Sequence, residues 1–249
     1  MSKMLYIATR QGMGSTVGTA RLTGLAYLGL AITGVLGFLA ARPRLFVADD
    51  AAATLANLTA QEPLAWGVVA LELGIVLTQA LAALLFFKLF RPVDGFAAGA
   101  VAAFGLVNAI MILVSAGFLA TAAHVALDSP LSATDDTAAT VQLLYFASGF
   151  MWDVAALFFG LWLIPMGWLA YRSRWMPRPL GVILMVSGMG YVVSAFLGYV
   201  VPDAAVAKEI LTLPATVGEF WMIGYLLTLG VSRKATPKDA DHTRTGVDG

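Results

Sequence analysis

Cysteine is absent from the 249-residue chain, and histidine occurs only twice. The first absence removes disulfides, thiolate nucleophiles, iron–sulfur clusters and thiolate zinc sites. The second leaves bis-histidine haem ligation without a partner, because His242 lies in a polar C-terminal stretch and His124 stands alone. Charge is scarce too. Only 12% of residues are charged, whereas a soluble domain carries about 25% to keep its surface in water. With zero formal net charge and no basic stripe or stacking motif, nucleic acid is not an expected partner. There is no His-Glu-x-x-His zinc motif and no Walker loop. Gly188-Met189-Gly190 is not a nucleotide loop, because it lies inside an apolar run without strand–helix context. Ser148 has no histidine base in its segment, so a serine hydrolase gains little support.

What the sequence does have is apolar length. It is 59% hydrophobic, with a mean hydropathy of +0.83. Six nearly uncharged segments fall at about 22–41, 65–90, 96–122, 142–170, 179–201 and 213–231. Each reaches the roughly 20 residues that cross about 30 Å of hydrocarbon at 1.5 Å per residue. The expected fold is therefore all-α, an integral membrane bundle of six transmembrane helices over 22–231. Residues 1–21 read as a cytoplasmic N-terminal segment and 232–249 as a disordered cytoplasmic tail rich in Lys, Asp, Thr and Gly. The first span follows Lys3, Arg10 and Arg21 and ends in Leu39-Ala40-Ala41, a pattern that superficially resembles a signal peptide. Its apolar run of about 18–20 residues exceeds the 7–15 of a signal core, so it is expected to be retained. Pro165 predicts a kink in span four, and Pro214 fits the first turn of span six.

Within spans, three carboxylates stand out: Glu72, Asp153 and Glu219. An ionisable group in hydrocarbon costs several kcal/mol unless it pairs, snorkels or protonates, so each is a functional candidate. Counted from the predicted span ends, all three fall in the outer half. Asp153 shares a face with Gly149, Ala156 and Gly160, which turns it toward a neighbouring helix. Glu72 lies on a polar stripe with Gln79, and Glu219 on one with Thr212 and Thr216. Arg42 and Arg44 supply countercharge from the end of span one, with His124 as a possible ligand or proton carrier. Tyr145, Ser148, Tyr191, Ser194 and Tyr199 are further candidates for an inward-facing surface.

Three readings fit these residues. The favoured one is a pocket that binds or transports a small molecule or ion. The second is a carboxylate-rich metal site built from Glu72, Asp153, Glu219 and His124, with oxygen and imidazole ligands suited to zinc or manganese. The third is an Arg–carboxylate knot that fixes helix packing in a structural or accessory subunit. No catalytic set, cofactor or metal is assigned, and the lipid bilayer is the one partner the composition demands. Other features point to packing. Gly29, Thr33, Gly37 and Ala41 form a small-residue ridge on span one, as do Gly190, Ser194 and Gly198 on span five. Asn108 and Gln79 lie near midplane, where they can bond across helices. Trp66, Trp152, Trp168, Trp175 and Trp221 suit the interfaces. Residues 49–61 predict a short capped helix on the outer surface, although their weak apolar face also suits a plain connector.

Several local strings together resemble the domain-of-unknown-function 4386 family of bacterial multi-pass membrane proteins. They are Asp-Ala-Ala-Ala-Thr at 50–54, Phe-Arg-Pro-Val-Asp at 90–94, Trp152-Asp153 with Phe158-Phe159-Gly160-Leu161, Tyr171-Arg172-Ser173 with Pro177-Arg178, Gly188-Met189-Gly190-Tyr191, and Pro214-Ala215 with Gly218-Glu219. The resemblance spans about 20–231. It implies a bacterial inner-membrane protein with six spans and brings no reaction with it, although Asp153 and Glu219 fall within its strings.

Orientation follows from the basic residues. Lys3, Arg10, Arg21, Lys88, Arg91, Arg172, Arg174, Arg178, Arg233, Lys234, Lys238 and Arg244 all fall on one side, against Arg42, Arg44 and Lys208 on the other. Because basic residues flanking spans are retained in the cytoplasm, both termini are predicted there. Reporter fusions following Gly249 and within 128–136 are expected to report opposite sides of the membrane. A C-terminal reporter on the outside would overturn this orientation.

Overall fold

The computed structural model describes residues 2–128, 136–201 and 204–231. The expected disordered tail at 232–249 lies outside them. Seven α-helices make up the described chain: α1 Ser2–Gly34, α2 Ala51–Ala60, α3 Glu62–Phe90, α4 Gly95–Leu127, α5 Thr137–Ser173, α6 Arg178–Val200 and α7 Ala205–Thr228. After Gly34 the first helix continues as a π-helical stretch, Val35–Ala41, and a 3-10 turn, Arg42–Arg44. Six helical segments are long and apolar enough to cross a membrane: Thr16–Arg44, α3, α4, α5, α6 and α7. The protein is an all-α, multi-pass membrane bundle.

Each spanning helix packs on its sequence neighbour, and α1 closes the ring by touching both α3 and α7. The short helix α2 forms as a helix, with Asp50 Oδ1 accepting from the Ala53 amide at 2.8 Å. Thr54 and Leu58 on it are buried. It therefore covers one end of the bundle, here called the α2 end. At the opposite end Asp94 caps α4 through the Ala97 amide and also accepts from Arg172 Nη1 at 2.7 Å. That end contains Arg91, Arg172, Arg174 and Arg178 and is called the basic end.

Glycine permits close backbone contact between α5 and α6. A β-carbon on Gly160 would stand 2.6 Å from the Gly188 carbonyl oxygen, and one on Gly167 would stand 2.6 Å from that of Gly181. The two contacts are seven residues apart on each helix, so two turns of backbone run in close apposition. The ridge on α1 also serves packing: a β-carbon on Gly29 would meet Thr78, and one on Gly37 would meet Leu71. Gly190 meets the Leu211 backbone and Gly198 the Lys208 side chain, which places the second ridge against α7.

Two departures from the sequence reading concern α7 and the tryptophans. The last helix starts at Ala205, not 213, because Lys208 and Glu209 interrupt the apolar run without interrupting the helix. Pro214 is therefore interior, as is Pro165 in α5. Glu219 is 14 residues from Ala205, about 21 Å along the axis and past the middle of α7, so it lies farther from the α2 end than the count from residue 213 placed it. Trp152 is no interface anchor, since its indole N–H donates to Glu72 at 3.0 Å.

The glycine contact gives a stability prediction. Replacing Gly160 by Leu drives a side chain into the Gly188 backbone, and overpacking of this kind costs about 1–3 kcal/mol or more. The detergent-extracted variant should melt well below the parent protein. An unchanged melting temperature would mean that α5 and α6 do not meet at Gly160.

Candidate functional site

Two larger apolar cores form at opposite ends of the ring, and a small third cluster of Ile75, Ile112 and Ala155 borders the space between them. The larger, at the basic end, includes Phe86, Phe90, Trp162, Met166, Leu180 and Leu226. The other, at the α2 end, includes Leu45, Leu58, Val68, Leu119, Val141 and Tyr145. Between them lies a cavity of about 450 Å³ with contributions from α1, α3, α4, α5, α6 and α7. That volume falls in the range of small-molecule sites, roughly 300–1,000 Å³. Its wall is mostly apolar and aromatic, with Gln79, Asn108, Asp153, Tyr191, Thr216 and Glu219 as polar members. Val35, Leu39 and Phe220 line it while also being exposed, so its mouth lies between α1 and α7.

Tyr27 and Glu219 form the polar floor. Tyr27 is buried, its ring edge-on to Phe86 and stacked on Trp162, with centroids 5.5 and 5.8 Å away. This aromatic pile fixes the phenol, which donates to Glu219 Oε1. Glu219 is partly buried and has no basic residue within ion-pair distance among the described residues. Opposite, Asn108 donates across helices to the Ala155 carbonyl at 2.8 Å. Gln79 differs from the midplane packing role expected of it. It is only 1% exposed, it lines the cavity, and among the described residues neither its amide nitrogen nor its oxygen has a hydrogen-bond partner.

The other two membrane carboxylates have cations. Asp153 lies on the cavity wall and accepts from Lys208 Nζ at 3.0 Å. The side chains of this pair are 46% and 33% exposed, so it is less enclosed than the Arg42–Glu72 pair. Glu72 is set one layer back. Its Oε1 accepts from Trp152 and stands 3.7 Å from Arg42 Nη1, and both Glu72 and Arg42 are buried. Arg42 also donates to the Tyr145 carbonyl at 3.0 Å and lies over the rings of Phe38 and Tyr145. Since Phe38 and Trp152 also line the cavity, this pair sits directly behind its wall on the α2 side.

Of the six residues singled out from sequence, Asp153 and Glu219 reach the cavity, and Arg42 with Glu72 supports it. Arg44 is exposed and joins none of them. His124 is also remote: it is 55% exposed, pairs with Asp128 at 2.8 Å and meets Trp66 edge-on. Among the described residues no three His, Cys, Asp or Glu side chains gather in a metal-binding group, so the four ligands of the expected metal site do not converge. Tyr145, Ser148 and Ser194 are buried, and Ser148 bonds Ser115 on α4. Tyr191 lines the cavity, whereas Tyr199 is exposed. Sequence reasoning missed Tyr27, which carries no signal beyond being a polar aromatic inside a span.

The Arg42–Glu72 geometry has a measurable consequence. Removing one partner of a buried pair leaves the other uncompensated, at a cost of about 3–5 kcal/mol. Arg42→Met and Glu72→Gln should each lower stability in a membrane mimetic, and the double variant should lose clearly less than their sum. Strictly additive losses would mean the two charges are uncoupled.

No curated protein and no solved structure matches the chain. A family model described as "Domain of unknown function (DUF4386)" matches residues 22–230, so the described bundle from the first span to the end of α7 is the family's unit. Strings of the resemblance meet in space: Asp94 of 90–94 bonds Arg172 of 171–173, while Trp152, Asp153 and Glu219 all line the cavity. The chain belongs to the domain-of-unknown-function 4386 family.

Proposed function

We propose that the protein binds a small amphipathic molecule in the cavity between its two cores, reached through the gap between α1 and α7. The observation that carries this reading is the Gln79 side chain, which is buried on the cavity wall with both polar atoms unpartnered. A buried polar group without a partner costs roughly 1–3 kcal/mol. A ligand that bonds it offsets that cost.

The position of the mouth supports entry from the bilayer, since exposed Val35, Leu39 and Phe220 present apolar surface suited to lipid. By the distribution of basic residues, the basic end faces the cytoplasm of a bacterial inner-membrane protein and the α2 end faces outward. Packed cores at both ends favour binding over an open conduit. The metal-enzyme reading loses support because its ligands are dispersed. The accessory reading loses support because it requires every carboxylate to be paired and no cavity to exist.

Protein in phosphatidylcholine nanodiscs tests this reading. A neutral amphiphile, 4-phenylbutanol, should raise the melting temperature of the parent protein with increasing concentration, as any ligand selective for the folded state does. It should act far less on Ala31→Phe and Ala156→Phe, which fill the cavity from α1 and α5. Equal effects on parent and filled variants would overturn the proposal.

A further inference from the structure

Charge balance and wall chemistry narrow the occupant. Two of the three membrane carboxylates face a cation, Glu72 with Arg42 and Asp153 with Lys208, but among the described residues Glu219 meets no cation and accepts from the phenol of Tyr27. An anionic ligand would add a second negative charge beside it. Inorganic cations fit poorly as well: the cavity is far larger than the roughly 30 Å³ share of one water, and its mostly apolar wall lacks six to eight convergent oxygen ligands. Six aromatic side chains instead line it, Tyr27, Phe38, Trp152, Phe159, Tyr191 and Phe220. Aromatic faces attract organic cations, most strongly where water is excluded. The Gln79 side-chain oxygen is a free acceptor on the same wall.

Resting on the binding reading above, we infer that the occupant is an organic ammonium with an apolar body. Its N–H groups are accepted by the Glu219 carboxylate and the Gln79 carbonyl, and its body lies against the aromatic wall. Charge, hydrogen bonding and shape then agree: the ligand balances the unpaired carboxylate, satisfies an orphaned acceptor and enters through an apolar mouth. The ammonium belongs either to a free lipophilic amine or to the headgroup of an aminolipid.

Three probes with one carbon skeleton test the inference on the parent protein in phosphatidylcholine nanodiscs: 4-phenylbutylamine, 4-phenylbutanol and 4-phenylbutyrate. The amine should bind at least tenfold more tightly than the alcohol, and the acid more weakly than either. Glu219→Gln should remove the preference for the amine over the alcohol, and Gln79→Leu should weaken the amine severalfold. Because the ratio of amine to alcohol is measured on the unaltered protein, it decides the matter even where Glu219→Gln fails to fold. A short-chain phosphatidylethanolamine that competes with the amine and binds more tightly would support the inference with a lipid headgroup as source. Equal binding of amine and alcohol would overturn the inference and leave the binding reading standing. No binding by any of the three would overturn both.

Discussion

The cost of placing charge in hydrocarbon organises this bundle. An isolated ion there is expensive by several kcal/mol, so each membrane carboxyl must be paired, hydrated, bonded or protonated. The chain uses three different solutions. Glu72 is buried with Arg42 and a tryptophan donor. Asp153 keeps its pair with Lys208 at a partly exposed edge. Glu219 has a phenol and an open space beside it. The first two are charge pairs and the third is not, and the cavity wall carries both Asp153 and Glu219.

Packing explains why that space survives. At the basic end large aromatic and aliphatic side chains fill the ring, and at the α2 end the short helix α2 and the loop before it close a second core. On α5 and α6 two glycine contacts hold the backbones too close for side chains between them, so neither helix can slide inward to fill the middle. On α1 the π-helical stretch lies where the wall is most open: Val35, Phe38 and Leu39 all belong to it and all line the cavity. Its i→i+5 bonding, visible as the Arg42 amide donating to Gly37, inserts a residue into the turn. Such bulges recur at functional sites because they re-aim side chains. Here the stretch ends at Arg42, whose guanidinium turns inward to Glu72.

The spans were legible because hydropathy over some 20 residues is a local property. Where charge interrupted it, the boundary was misplaced: Lys208 and Glu209 hid the first two turns of α7, and with them the depth of Glu219. The carboxylates were legible as unusual residues, but their partners were not. Asp153 meets Lys208 across 55 positions, and Tyr27 meets Glu219 across 192. Arg42 and Arg44 are two residues apart and alike in composition, yet one is 7% exposed and the other faces solvent, a difference set by the turn that follows the π stretch. Gln79 was visible as a polar midplane residue. Only its surroundings reveal that it makes no bond across helices.

The relation of α1 to α7 joins these elements into one device. Toward the basic end the two helices are in close contact, since a β-carbon on Gly24 would stand 3.0 Å from Leu226 and Leu227. One turn further along α1, Tyr27 bridges them to Glu219. Beyond that point the facing residues, Ala31 and Val35 on α1 with Thr216 and Phe220 on α7, no longer fill the gap and instead line the cavity. The helices thus form a wedge whose apex is packed and whose open side is the mouth. The Tyr27–Glu219 bond lies where packing gives way to space.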